Sequence, residues 1–216
     1  MILNDTNKDL QILDVGCGTG NITTKLLDSG FRNITCLDIS QNMMQELRKK
    51  VKSYDHDINF IVSDIDTFLV RRNLKFDIII MNSVLHHLPE YINSLTYMKE
   101  MINKKGCICI MHEPLPPQKP SLLVSFLLKL DFLAYIIRYI TFIALGKLKY
   151  LKRDCRYSDY HTGKKAINLS DLKKLFDDNW SIKVNKYATA KFGITAFLLN
   201  KLGFFSSFQL IATKRL

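Results

Sequence analysis

Acidic residues are scarce in this chain of 216 residues: 20 Asp and Glu stand against 31 Lys and Arg, for a formal net charge of +11. That imbalance admits nucleic acid, anionic lipid or an acidic small molecule as partner, and selects none of them. Cysteine is sparse and odd in number, with 5 residues: Cys17, Cys36, Cys107, Cys109 and Cys155. No two form a C-x-x-C pair and no histidine completes a zinc spacing, which excludes a zinc ribbon or finger. Most lie within apolar runs, so buried thiols in a reducing compartment are expected. The N-terminus, MILNDTNKDL, lacks a long apolar stretch behind a basic start. No signal peptide is therefore expected, and a cytoplasmic protein follows. Internal repeats and low-complexity tracts are absent. With 47% hydrophobic and 24% charged residues, the chain is too apolar to be disordered and long enough for one α/β domain with a sizeable core.

What the sequence does contain is a rhythm. Short runs rich in Ile, Val and Leu begin at Gln11, Asn33, Ile58, Phe76 and Gly106. They show little polar alternation, as expected of parallel strands buried on both faces. Helical stretches fall between them at roughly 20–29, 40–54, 65–72 and 90–104, with Ser40 placed to cap the second. This alternation predicts a doubly wound sheet with right-handed crossovers. After Pro114 the rhythm stops, and 115–165 reads as an insertion. A helix then resumes with Ser170 as its expected N-cap. Strands follow from Trp180 and over SSFQLIATKRL.

Function is written most clearly in Leu13-Asp14-Val15-Gly16-Cys17-Gly18-Thr19-Gly20. This segment ends the first strand and opens the first helix. Glycines there permit a tight turn and close approach of backbone to a ligand. The free N–H groups at the helix start favour a carboxylate or phosphate. Asp38 ends the second strand, beside the loop, where a carboxylate can grip both hydroxyls of a ribose. A dinucleotide fingerprint would need a third glycine at position 21, and that residue is Asn21. The departure counts against NAD and FAD, whose pyrophosphate needs the backbone room.

These residues resemble the class I S-adenosylmethionine-dependent methyltransferases, in particular the small-molecule group with the E/D-x-G-x-G-x-G signature. The likeness is good over about 10–114 and holds only in rhythm over 165–216. It implies a Rossmann-like α/β fold, with a seven-stranded sheet whose last strand is antiparallel, in one domain over 1–216 that carries a helical cap. It implies S-adenosylmethionine as cofactor. Asp14, Gly16, Cys17, Gly18 and Gly20 would wrap the methionine part, and Asp38 would hold the ribose. Ile39 and Met43 would lie near the adenine, and Asp64 with Ile65 would bond or flank its amino group. Asn82 opens the run Asn82-Ser83-Val84-Leu85-His86-His87-Leu88, which resembles the motif bordering the methyl group. Asp64 also reads as a simple helix cap, Met43 as core, and His87 as structural.

Methyl transfer from a sulfonium is an in-line displacement in which alignment matters most. An acceptor that carries a proton also needs a base within hydrogen-bond reach. Candidates at the carboxyl ends of strands are His86, His112 and Glu113, with Tyr160 and His161 in the insertion; His86 and Glu113 are the catalytic expectations. Enzymes that methylate base amino groups carry an Asn/Asp-Pro-Pro-aromatic motif where this chain reads Asn82-Ser83-Val84-Leu85. Metal-dependent catechol-type enzymes place an Asp-Asn pair where this chain has His112-Glu113. The expected acceptor is therefore small or lipid-like, with no metal. RNA or protein methylation, and a catalytically inactive binding module, stand as alternatives.

The insertion holds SLLVSFLLKLDFLAYIIRYITFIAL over 121–145. Lys129, Asp131 and Arg138 oppose a membrane span, because each charge costs about 2.5–3.5 kcal/mol at a bilayer centre. The polar residues fall on two opposite stripes, which predicts two helices meeting near residue 130. Both need cover. An apolar lid over the substrate, contact with an anionic inner-membrane surface aided by the basic run Lys147 to Arg156, and a homodimer seam remain open.

Overall fold

A computed structural model describes residues 7–54, 58–70, 73–144 and 166–215. Its strands are β1 (Ile12–Val15), β2 (Ile34–Asp38), β3 (Ile58–Val62), β4 (Phe76–Asn82), β5 (Ile102–Pro114), β6 (Trp180–Tyr187) and β7 (Ser207–Lys214). They form one sheet in the order β3-β2-β1-β4-β5-β7-β6. The first five pair in parallel, and β7 slots antiparallel between β5 and β6. The reversal of strand order falls between β1 and β4, so a crevice opens at their carboxyl ends.

The helices are α1 (Asn21–Asp28), α2 (Gln41–Val51), α3 (Ile65–Leu69), α4 (Tyr91–Met101), α5 (Leu122–Ala144), α6 (Leu169–Leu175) and α7 (Gly193–Lys201). Alternate residues of the central strands feed two cores, which is why these strands read as unbroken apolar runs. Leu13, Val15, Ile79 and Met81 join Phe68, Leu95, Met98 and Leu172 from α3, α4 and α6. Ile12, Cys36, Ile78 and Ile80 join Leu26, Leu27, Met44 and Leu47 from α1 and α2 on the opposite face. Ser40 caps α2, its side chain accepting the Met43 N–H.

Two expectations are corrected and one helix is new. Residues 122–144 form one helix of 23 residues, not two. No Gly or Pro interrupts this stretch, so the backbone has no reason to break. The polar stripe that suggests a break has another cause. Asp131 is buried and accepts the backbone N–H of Lys191 (2.8 Å) and Phe192 (3.1 Å), at the start of α7. Helix α6 is capped by Asn168, whose side chain accepts the Ser170 N–H, rather than by Ser170. Helix α7 is absent from the sequence reading, being a short run between Gly193 and Gly203 with weak amphipathic contrast. Cys155, Tyr160, His161 and the basic run Lys147 to Arg156 lie outside the described residues.

Candidate functional site

The glycine loop joins β1 to α1, and its three glycines meet three different demands. All have positive φ: 62° at Gly16, 53° at Gly18 and 84° at Gly20, a region that penalises other residues. A Cβ at Gly16 would lie 2.5 Å from Val84 Cγ2, and one at Gly20 would collide with Leu47. These two let the loop sit tightly on the β4 end and on α2. A Cβ at Gly18 would meet nothing within 4 Å. Gly18 therefore faces open space, at the helix start where unpaired N–H groups gather.

Asp38, at the end of β2, ties the loop in place. Its Oδ2 accepts the Gly18 N–H at 2.8 Å, and its Oδ1 accepts the Ser40 N–H at 2.8 Å. The carboxylate stays partly exposed, so its remaining lone pairs can take hydroxyl donors. Ile39, next in the chain, is 74% exposed. Met43 is half-buried on the first turn of α2, and Ile65 half-buried on α3. Asp64 is exposed and caps α3, accepting the Thr67 N–H at 2.8 Å. That bond holds its carboxyl below the usual range.

Asp14 has a different place from the one expected of a cofactor contact. It is 1% exposed and lies beneath the loop, where Oδ2 accepts the Thr23 hydroxyl at 2.6 Å. Burial pushes its pKa up to about 6. Asp14 thus links β1 to α1 and holds the loop's base. Cys17 is buried in the apolar core on the α1–α2 face, and its N–H donates to the Leu37 carbonyl. Its backbone shapes the loop, while its thiol packs inward.

The ends of β4 and β5 form the other half of the site. Ser83 and His112 both hold left-handed backbone, at φ 57° and 55°. Ser83 N–H donates to the Met111 carbonyl (2.8 Å), and Ser83 Oγ to the His112 carbonyl (3.2 Å). Such strain persists only where surrounding structure enforces it. Opposite β7, the β5 register runs from Ile110–Leu210 directly to Glu113–Phe208, so β5 carries one extra residue. This bulge at His112 re-aims the next side chain. Glu113 is turned inward and is 0% exposed.

Glu113, a catalytic expectation, directs its oxygens to the protein's own groups. Its Oε1 accepts the N–H groups of Val84 and Leu85, each at 2.9 Å. Its Oε2 accepts the His86 N–H at 3.2 Å and lies 2.8 Å from His86 Nδ1. A buried charge demands such partners. Here they are the N–H groups at the start of a single turn of 3-10 helix, Leu85–His87, with Val84 at its N-cap, together with the imidazole of its middle residue. The His86 side chain is 13% exposed. At the end of β4, Asn82 Oδ1 is buried and has no hydrogen-bond partner among the described residues. His112, exposed, pairs through Nδ1 with the Tyr187 hydroxyl at 2.7 Å. Tyr187, at the end of β6, gives no signal in the sequence; only the sheet order brings it beside His112. No group of metal-ligating side chains occurs among the described residues.

Residues 12–106 match the family model described as a methyltransferase domain. The malonyl-[acyl-carrier protein] O-methyltransferase 2 of Ilyobacter polytropus is 29% identical over 183 residues, covering 84% of this chain and 59% of that protein. The ubiquinone biosynthesis O-methyltransferase of Rickettsia canadensis is 32% identical over 107 residues, covering 50% of this chain and 44% of that protein. This chain therefore spans less than two thirds of the length of either relative. Among solved structures, a magnesium protoporphyrin IX methyltransferase from Synechocystis with bound S-adenosylhomocysteine superposes with TM-score 0.56 at 20% identity, covering 95% of this chain and 74% of that one. An S-adenosylmethionine-dependent methyltransferase from Mesorhizobium loti gives TM-score 0.59 at 17% identity, with 96% and 91% covered. The family match covers residues 12–106, and the likeness to these solved methyltransferases is one of fold.

Proposed function

We propose that this chain transfers the methyl group of S-adenosylmethionine to a small-molecule or lipid-like acceptor. The observations that carry the reading are made at Gly18, Asp38 and Asn82, which follow or end the neighbouring strands β1, β2 and β4. Gly18 leaves open space above the loop, Asp38 presents a carboxylate beside it, and Asn82 Oδ1 is buried and lacks a donor. A ligand that brings hydroxyls to Asp38 and an N–H to Asn82 supplies what these atoms lack. The cofactor suits that demand, with ribose hydroxyls and an ammonium on its amino-acid end. Gly16, Cys17, Gly18 and Gly20 would cradle that end through backbone, with Asp14 supporting them from below. Ile39, Met43 and Ile65 would flank the adenine, and Asp64 would meet its amino group with the oxygen not used in capping.

When bound, S-adenosylmethionine supplies a methyl already activated on a positive sulfur. An acceptor oxygen or nitrogen that took this methyl would have to lose its proton. His86 is the group assigned to take it. With Glu113 holding Nδ1–H, the ring's basic lone pair resides on Nε2, as in hydrolase triads where a carboxylate fixes the tautomer. Glu113 acts through His86 and is a positioning residue.

The relatives named above are a malonyl-[acyl-carrier protein] O-methyltransferase and a ubiquinone biosynthesis O-methyltransferase, which supports a small-molecule acceptor. Calorimetry with S-adenosylhomocysteine and with NAD tests the cofactor. Saturable binding of the former alone is expected; NAD binding without response to the former would overturn the reading. Incubation with radiolabelled S-adenosylmethionine and separated organic, nucleic acid and protein fractions tests the acceptor class. Label is expected in the organic fraction. Label in RNA or protein that is lost on Gly18→Arg would replace it.

A further inference from the structure

Helix α5 has two apolar stripes, and the fold uses one. Val124, Leu127 and Leu128 pack with Ala188, Leu199 and Phe204 on the α7 side. The opposite stripe runs Leu122, Phe126, Leu130, Leu133, Ile137 and Ile140, at helical spacing, and all six are exposed. Helix α7 adds exposed Ile194, Phe197 and Leu198. The two helices are clasped together by Asp131, whose oxygens take the N–H groups of Lys191 and Phe192. Scattered exposed apolar residues are ordinary, but a contiguous stripe of this length marks a contact surface.

We infer that α5 and α7 dock on a lipid surface bearing anionic headgroups. Charge selects this occupant. Asp131 is the one acidic residue on either helix, and it is buried with both oxygens bonded. Every exposed charge on the pair is therefore positive: Lys129 and Arg138 on α5, and Lys201 on α7, with Lys191 just before it. A second copy would set like charge against like charge. An anionic interface would receive both the stripe and its rim, the arrangement of an amphipathic helix lying in the headgroup plane. The lysines already behave in that manner, with Lys191 Nζ 4.8 Å from the Tyr135 ring centroid and Lys201 Nζ 5.0 Å from that of Phe197. Such side chains lay their stems along apolar surface and lift their charge. Among the described residues no helix is long and apolar enough to cross a membrane, so the docking is on the surface.

The test is flotation of the full chain with vesicles of phosphatidylcholine alone and with phosphatidylglycerol added, at low and high salt. Binding is expected only with phosphatidylglycerol, and it should weaken as salt rises. Lys129→Ala with Lys201→Ala should weaken it about thirtyfold at low salt. Phe126→Glu with Ile137→Glu should abolish it, while S-adenosylhomocysteine binding and the melting temperature stay unchanged. Lack of binding to either vesicle overturns the inference. So does a dimer in sedimentation that Phe126→Glu with Ile137→Glu dissolves, which would assign the stripe to a second copy. Vesicle binding is read without cofactor or turnover, so its failure is separate from any failure of the methyl-transfer reading.

Discussion

Glu113 Oε2 lies 2.8 Å from His86 Nδ1, and the same carboxylate accepts three consecutive backbone N–H groups, of Val84, Leu85 and His86. One buried acid thus braces the path of the chain after β4 and pairs with the imidazole carried there. Replacing Glu113 by Gln keeps the volume but turns an amide –NH2 toward donors. We expect a stability loss of about 2 kcal/mol, in the range for a buried donor left unmatched. His86→Asn leaves the backbone bonds intact. It should lower kcat about a hundredfold or more if His86 is the base, remove the acid limb of the pH–kcat profile, and leave cofactor affinity unchanged. A retained acid limb in His86→Asn would move the base elsewhere, with His112 the first residue to test.

Asp38 offers a cleaner measure of cofactor binding. Asp38→Ala removes an acceptor worth about 1.5–3 kcal/mol to a charged hydrogen bond. The dissociation constant for S-adenosylhomocysteine should rise by one to two decades. The loop also loses its tie through Gly18 N–H, so part of the loss is preorganisation. Asp38→Asn retains one carbonyl oxygen and should fall between. Equal affinity in all three proteins would show that another residue holds the ribose.

The three loop glycines should respond differently to the same added methyl. Gly20→Ala drives a Cβ into Leu47 and should chiefly destabilise the fold. Gly18→Ala meets no protein atom within 4 Å, so its fold cost is the strain of a left-handed alanine, about 1 kcal/mol. Its cofactor affinity should nonetheless drop, because the methyl points where ligand is expected. Paired melting and titration curves separate these effects. A Gly18→Ala protein with normal affinity would put the ligand on another side of the loop.

Much of this geometry was legible in the sequence, and the reasons differ by element. The five parallel strands declare themselves because burial on both faces makes them uniformly apolar. The glycine spacing separates this loop from a dinucleotide loop because each glycine answers a local demand. Glu113 is hidden from such reasoning: its inward turn depends on a one-residue bulge at His112, and strand sequence gives no sign of where pairing slips. The same is true of Tyr187, which meets His112 through a sheet order that places β7 between β5 and β6. In α5, two polar stripes on one helix imitate a break, since sequence does not tell that Asp131 is spent on another element.

Asp14 sets a pH dependence. Its folded pKa is raised to about 6 by burial, against about 3.9 in an unfolded chain. Between these values the folded state holds the proton more tightly than the unfolded one. Stability from this group is therefore full below about pH 4 and is lost as pH rises through about 6, by roughly 3 kcal/mol. Asp14→Asn should flatten the stability–pH curve across that window, as read by urea melts at several pH values. An identical slope in mutant and parent would mean that Asp14 titrates normally.

Asp131 is the most economical place to ask whether α5 and α7 act as one body. Helix α7 starts poorly by itself: its first residue is Gly193, and Phe192 at the N-cap position offers no side-chain acceptor. Asp131 supplies that acceptor from α5, reaching Lys191 N–H and Phe192 N–H, and adds negative charge at the positive end of the helix. Asp131→Ala removes both bonds and leaves two partly buried N–H groups without an acceptor. The loss should be about 2 kcal/mol. It should be local, because α7 contributes few residues to the main cores. Hydrogen exchange at Lys191, Phe192 and the first turn of α7 should quicken by one to two decades, while amides of β1, β4 and β5 keep their protection. Lys129→Ala, two residues away but exposed, should change neither. Uniform acceleration across the sheet would instead make the α5–α7 pair part of the global folding unit.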